Sequence, residues 1–127
     1  MFTRYTISDQ KGFTLIELVS MIIIIGVLST VVTKKFDILS DTASQKALVA
    51  GGSELNARES LTWTNMKLSP AGWTNDADLF VRVDTNLGDN YVWTAGPNIL
   101  GGTLTFESES RILNRTASTA SAWGRWN

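Results

Sequence analysis

Lys11-Gly12-Phe13-Thr14-Leu15-Ile16-Glu17 opens a run that stays apolar as far as Val32, apart from one carboxylate, Glu17, near its start. Phe13 to Val32 is 20 residues, and at about 1.5 Å of rise each a helix of that length crosses roughly 30 Å, one bilayer hydrocarbon core. Leu, Ile, Val and Met fill the run, with Ser20, Gly26, Ser29 and Thr30 as its small or weakly polar members. Ile22 to Ile25 is an unbroken block, apolar on every side, as suits a segment that meets lipid or the inside of a bundle. An acid at a bilayer centre costs on the order of 2.5–3.5 kcal/mol on insertion scales, so by default it marks function. No basic residue lies between Lys11 and Lys34 to neutralise it. The nearest available positive charge is one made by cutting the chain close by.

The place for that cut is visible. A secretory signal has its small-residue cleavage site after the apolar stretch, yet the Ser29-Thr30 region offers no Ala-x-Ala pattern. Gly12 is the small residue at the sharp composition boundary, and it precedes the run. Cutting after Gly12 removes a short polar leader, Met1 to Gly12, and leaves the hydrophobic helix on the mature chain.

The remaining composition narrows the function. One chain of 127 residues sets a single domain with an appended segment. A net charge of −1 argues against a general nucleic-acid surface. With no cysteine and no histidine, the chain lacks disulfides, thiolate metal sites, the usual general base and any Ser-His or Cys-His pair. An enzyme is not expected.

Gly12-Phe13-Thr14-Leu15-Ile16-Glu17 followed by the apolar stretch resembles the N-terminal signature of type IV pilins and of the related pseudopilins of type II secretion. Gly26, in Ile24-Ile25-Gly26-Val27-Leu28, falls where that family commonly has a glycine, whereas Lys34 stands where it usually has a proline. The resemblance implies cleavage between Gly12 and Phe13 by a prepilin peptidase, with N-methylation of Phe13. It also implies an inner-membrane reservoir, identical subunits joined in a helical homopolymer, and a separate assembly ATPase with its membrane platform. Orientation rests on the resemblance alone, because Arg4 and Lys11 before the helix balance Lys34 and Lys35 after it.

With Phe13 as the new terminus, Glu17 lies at i+4, one turn away on the same face. Both an intramolecular pair with the Phe13 amine and an intermolecular one with a neighbour's amine are open; the resemblance implies the second. Such a pair selects axial register more than it adds stability, because desolvation offsets much of the attraction. Gly26 is a soft point in the helix, costing about 1 kcal/mol relative to alanine.

Beyond Val32, Phe36, Leu39, Ala43, Ala47, Ala50, Ala57 and Leu61 recur at helical spacing, a mostly alanine stripe suited to packing on a sheet. Gly51-Gly52 interrupts it, so either another backbone approaches closely there or the helix kinks; continuation to about Leu61 is expected. After Ser69-Pro70-Ala71-Gly72, strands are predicted over Leu79–Val83, Tyr91–Thr94, Leu100–Phe106 and Arg111–Thr116. The expected fold is α+β: a long N-terminal helix packed on a small antiparallel sheet, a pilin fold. Its divisions are a cleaved leader 1–12, a transmembrane and assembly helix 13–32, an amphipathic half 33–68 and a β-rich head 69–127.

Trp63, Trp73, Trp93, Trp123 and Trp126 are expected to supply much of the head's buried area, with Trp123 and Trp126 also placed to meet a neighbour or ligand. Asp84-Thr85-Asn86-Leu87-Gly88-Asp89-Asn90 has the oxygens of a loose calcium loop, through Asp84, Asn86 and Asp89, but lacks the bidentate glutamate. A hairpin turn explains it better. No cofactor is expected, and Asp76 and Asp78 read as solvated loop residues. Three functions fit: a structural subunit of a type IV pilus serving adhesion, motility or surface colonisation; a pseudopilin of a type II secretion system in a short periplasmic fibre; and a monomeric anchored binding domain.

Overall fold

The computed structural model describes residues 12–127; the rest of the leader, with Arg4 and Lys11, lies outside the described residues. A 54-residue helix, α1 (Leu15–Leu68), begins the fold. Two compact units divide the chain between Ile38 and Leu39.

In the first unit the apolar side chains of α1 face outward along its whole length, from Leu15, 82% exposed, to Val32, 49% exposed. It is the one stretch among the described residues long and apolar enough to cross a membrane. Its few hydroxyls are satisfied internally: Ser20 Oγ donates to the Ile16 carbonyl and Ser29 Oγ to that of Ile25, both at 2.7 Å. Thr30 and Thr33 do likewise to Val27 and Ser29, so each of these hydroxyls has a partner on its own helix.

In the second unit the rest of α1 lies on a four-stranded antiparallel sheet in the order β1 (Tyr91–Asn98), β2 (Gly101–Phe106), β3 (Glu109–Thr116) and β4 (Arg125–Trp126). The expected α+β architecture is therefore present. Trp93 pairs with Leu104, Gly102 with Leu113 and Arg115 with Trp126, which sends Trp93, Leu104, Leu113 and Trp126 to the helix side. Leu48, Leu55, Leu104, Leu113 and Trp126 form the main core, flanked by Phe80, Leu87, Tyr91, Trp93 and Phe106. A second cluster, Met66, Leu79 and Val83 against Trp63 and Trp73, closes the far end of α1.

The structure corrects two expectations. Leu79–Val83 is not a strand: Leu79 to Arg82 end a short helix, α2 (Asp76–Arg82), and Val83 is its C-cap. Asn75 Oδ1 accepts from the Asp78 amide at 2.8 Å, and Asp76 and Asp78 sit in the first turn, where carboxylates suit the helix dipole. A local cap thus overrides a short alternating pattern. The second correction concerns the face of α1 that meets the sheet. Ser44, Leu48, Gly51, Gly52, Leu55, Glu59 and Met66 are buried, whereas Leu39 and Leu61 of the alanine-rich stripe remain 62% and 63% exposed.

Gly51-Gly52 explains the choice of face. The helix continues through the pair to Leu68 without a break. A Cβ on Gly51 would lie 3.0 Å from the Tyr91 ring and 3.1 Å from Leu104 Cδ2, so side chains, not another backbone, approach here. Tyr91 in turn donates its hydroxyl to the Ala47 carbonyl at 2.8 Å.

Candidate functional site

At the start of α1, Thr14 and Glu17 form a reciprocal cap. The Thr14 amide donates to Glu17 Oε2 at 2.8 Å, its hydroxyl donates to the same oxygen at 3.0 Å, and the Glu17 amide donates to Thr14 Oγ1 at 3.3 Å. Thr-x-x-Glu is a capping box, which satisfies two amides that the first helical turn leaves without partners. Within a single chain, then, Glu17 is not orphaned: its Oε2 accepts twice from its own helix start. Phe13 is 75% exposed beside it. Gly26 lies within α1 in open space, where an added Cβ would meet nothing within 4 Å.

The head is organised by a cluster that sequence reasoning missed. Arg115, on β3, points its guanidinium between Glu59 of α1 and Asp76 of α2; both the Arg115 and Glu59 side chains are 0% exposed. Arg115 Nε donates to both Glu59 oxygens at 3.2 Å, and Nη2 donates to Glu59 Oε1 as well. On the other side Nη1 and Nη2 reach Asp76 Oδ2 and Oδ1 at 2.8 and 2.7 Å. The remaining valences are filled: Nη1 also donates to the Ile99 carbonyl at 3.1 Å, and Trp126 Nε1 donates to Glu59 Oε2 at 3.0 Å. Asp76 Oδ1 takes the amide and hydroxyl of Ser118, each at 2.7 Å. The Phe80 ring lies 5.1 Å from the guanidinium carbon. Asp76 is therefore no solvated loop residue.

Burial alone would push the Asp76 carboxyl up, but the hydrogen bonds from Arg115 and Ser118, with the guanidinium charge, hold it below its ordinary value. Burial likewise works against the Arg115 cation, and the bonds to Asp76 and Glu59 overturn that, raising its pKa further. Gly124 makes room for the cluster: a Cβ there would lie 2.5 Å from Glu59 Oε1. The C-terminal segment is fastened around it. Asn56 bonds both the amide and carbonyl of Trp126, at 2.8 and 2.9 Å, and Trp63 Nε1 donates to the Thr119 carbonyl at 2.9 Å. Trp126 is core at 3% exposure, while Trp123 is 39% exposed, edge-on to Trp63 and beneath Arg125.

The Asp84–Asn90 segment is a string of side-chain-closed turns. Asp84 Oδ1 accepts from the Asn86 amide and Asn86 Oδ1 from the Gly88 amide, both at 2.9 Å. Arg58 Nη1 donates to the carbonyls of Asp84 and Asn86 at 2.9 and 2.7 Å, so a guanidinium from α1 holds the oxygens that face inward. Trp93 Nε1 donates to the Thr85 carbonyl at 3.0 Å. Among the described residues no three acids stand together as a metal-binding group.

Residues 7–33 match a family model described as the prokaryotic N-terminal methylation motif. This is the prepilin-type signature of type IV pilins and pseudopilins, and here it heads a long helix packed on an antiparallel sheet, a pilin-like architecture. No curated protein and no solved structure matches the chain. The matched motif and the apolar helix behind it fit a membrane-anchored precursor.

Proposed function

We propose that the chain is a structural subunit of a type IV pilus. A prepilin peptidase cuts between Gly12 and Phe13 and methylates the new Phe13 amine. The subunit waits in the inner membrane, anchored by residues 13–32, and an assembly ATPase working through a membrane platform adds it to a growing filament with the head outside. The observation that carries this reading is the placement of Glu17 four residues after Phe13, inside a matched methylation motif, on a helix whose apolar side chains from Leu15 to Val32 are exposed among the described residues.

Glu17 acts in this scheme through exchange of partners. In the single subunit it caps its own helix through Thr14. In the filament it meets the ammonium of the neighbouring copy, a bond in which both partners are charged, where the Thr14 donors it replaces are neutral. A misplaced copy forfeits that gain. The test joins the intact mass of the mature chain with electron microscopy of sheared filaments from wild type and Glu17→Ala. A methylated Phe13 terminus, surface filaments in wild type and their loss in the variant are expected. A mature chain that keeps Met1 to Gly12, or normal filaments from Glu17→Ala, refutes it. Short fibres confined to the periplasm would assign the chain to secretion instead.

A further inference from the structure

The last turns of α1, the turn that follows them and α2 surround a cavity of about 390 Å3 that the core and the ionic cluster leave unused. That places it near the lower end of small-molecule sites, which run from roughly 300 to 1,000 Å3. Its frame is held by packing and by hydrogen bonds. Met66, part of the lining, is 6% exposed and packs with Leu79, Val83, Trp63 and Trp73. The Gly72 amide donates to the Ser69 carbonyl at 3.0 Å and Ser69 Oγ to the Met66 carbonyl at 2.7 Å, which closes the intervening turn.

The polar part of the lining is notable for what it leaves unpaired. Asp78 and Arg82 stand one turn apart on α2, the spacing at which opposite charges on a helix commonly pair. They form no ion pair with each other; Asp78 Oδ2 accepts instead from Thr74 Oγ1 at 2.8 Å. Among the described residues, Asp78 Oδ1, the Arg82 guanidinium, the Thr62 hydroxyl and the Asn65 side-chain amide have no hydrogen-bond partner. Each feature narrows the ligand. The two charges cancel, so neither an anion nor a cation is favoured. Carboxylate, amide, guanidinium and hydroxyl groups mix acceptors with donors, which suits a ligand whose groups do both, as hydroxyls do. Met66, Ala71 and Gly72 add an apolar wall that suits the C–H face of a ring.

We infer that this cavity binds a neutral sugar, one pyranose ring, with adjacent hydroxyls spanning Asp78 and Arg82 and a further one meeting Asn65. The site lies within one subunit, so the inference goes beyond the filament reading and does not depend on it. The test uses the full chain in a detergent without a sugar headgroup, so that the micelle does not compete. Saturation-transfer NMR is run with glucose, galactose, mannose and N-acetylglucosamine, and with glucuronic acid and glycine as charged controls. At least one neutral sugar should receive saturation from the protein. A lost hydrogen bond weakens affinity about two- to tenfold, and Asn65→Ala and Arg82→Ala should each do so. Neither side chain has a bond within the chain to lose, so both variants should keep the wild-type unfolding midpoint. Arg111→Ala, outside the cavity, should bind as wild type does. Coupling the bound sugar to polyacrylamide separates its sources: capture of the chain on the polymer assigns a surface glycan, and binding of the dissolved sugar alone assigns a solute. Either result supports the site. No saturation of any neutral sugar, unchanged binding in both cavity variants, or a response to glycine or glucuronic acid alone overturns the inference.

Discussion

Replacing Arg115 by alanine removes the one cation between two carboxylates, and the energetic consequence can be worked from its surroundings. Glu59 is left fully buried with only the Trp126 indole as donor, and Asp76 keeps only Ser118. Breaking a buried ion pair from one side costs about 3–5 kcal/mol, because the abandoned charge has neither water nor partner. A domain of this size has only about 5–15 kcal/mol in hand. At roughly 4–8 °C per kcal/mol, the unfolding midpoint should fall by some 12–40 °C. The assay is thermal and urea unfolding of the full chain in detergent, followed by tryptophan fluorescence, since Trp126 and Trp93 lie in the affected core. Replacing all three members together by apolar residues of similar volume should recover most of the loss, as buried ionic clusters are often no more stable than packed apolar ones. Should Arg115→Ala cost under about 1 kcal/mol, the value of an exposed pair, the cluster is not buried as described.

Three further outcomes follow from the same geometry. Because the folded Asp76 carboxyl titrates below its unfolded value, its contribution is present above about pH 4 and is lost as pH falls through the lower folded value, so Asp76→Asn should flatten the acid limb of a stability–pH curve. An added Cβ at Gly52 finds ordinary contact, 3.6 Å from Leu113, whereas at Gly51 it is crowded at 3.0 Å; Gly52→Ala should therefore gain up to about 1 kcal/mol and Gly51→Ala should not, as read by urea midpoints. With Arg58 already seated on the Asp84 and Asn86 carbonyls, adding calcium or a chelator should leave the unfolding midpoint unchanged, and a calcium-dependent rise would show that the loop takes a cation in its place.

The apolar start of α1 was legible because its signal is local: a run of 20 largely apolar residues with one acid in it needs no tertiary context. Turn residues bounding alternating runs likewise located the strands within β1, β2 and β3. The face of α1 was misread for a physical reason. Apolar periodicity finds whichever stripe carries the most carbon, and the face that meets the sheet is Ser44, Gly51, Gly52 and Glu59 as much as Leu48 and Leu55. The glycine pair was the available clue, since centring the face on Gly51 brings in Ser44, Leu48, Leu55 and Glu59 at once. Nothing comparable announced the ionic cluster. Glu59, Asp76 and Arg115 come from three separate elements, and each alone looks like an ordinary solvated charge. Only the fold brings them together, and Thr14 as the partner of Glu17 was readable from the Thr-x-x-Glu spacing but was overlooked beside the charge argument.

A density map of the assembled filament, resolved well enough to show side chains at the helix start, tests the central claim most directly. The methylated nitrogen of Phe13 from one subunit should lie within hydrogen-bonding distance of the Glu17 carboxylate of the next. A carboxylate still held solely by its own Thr14, with no foreign nitrogen beside it, would contradict it.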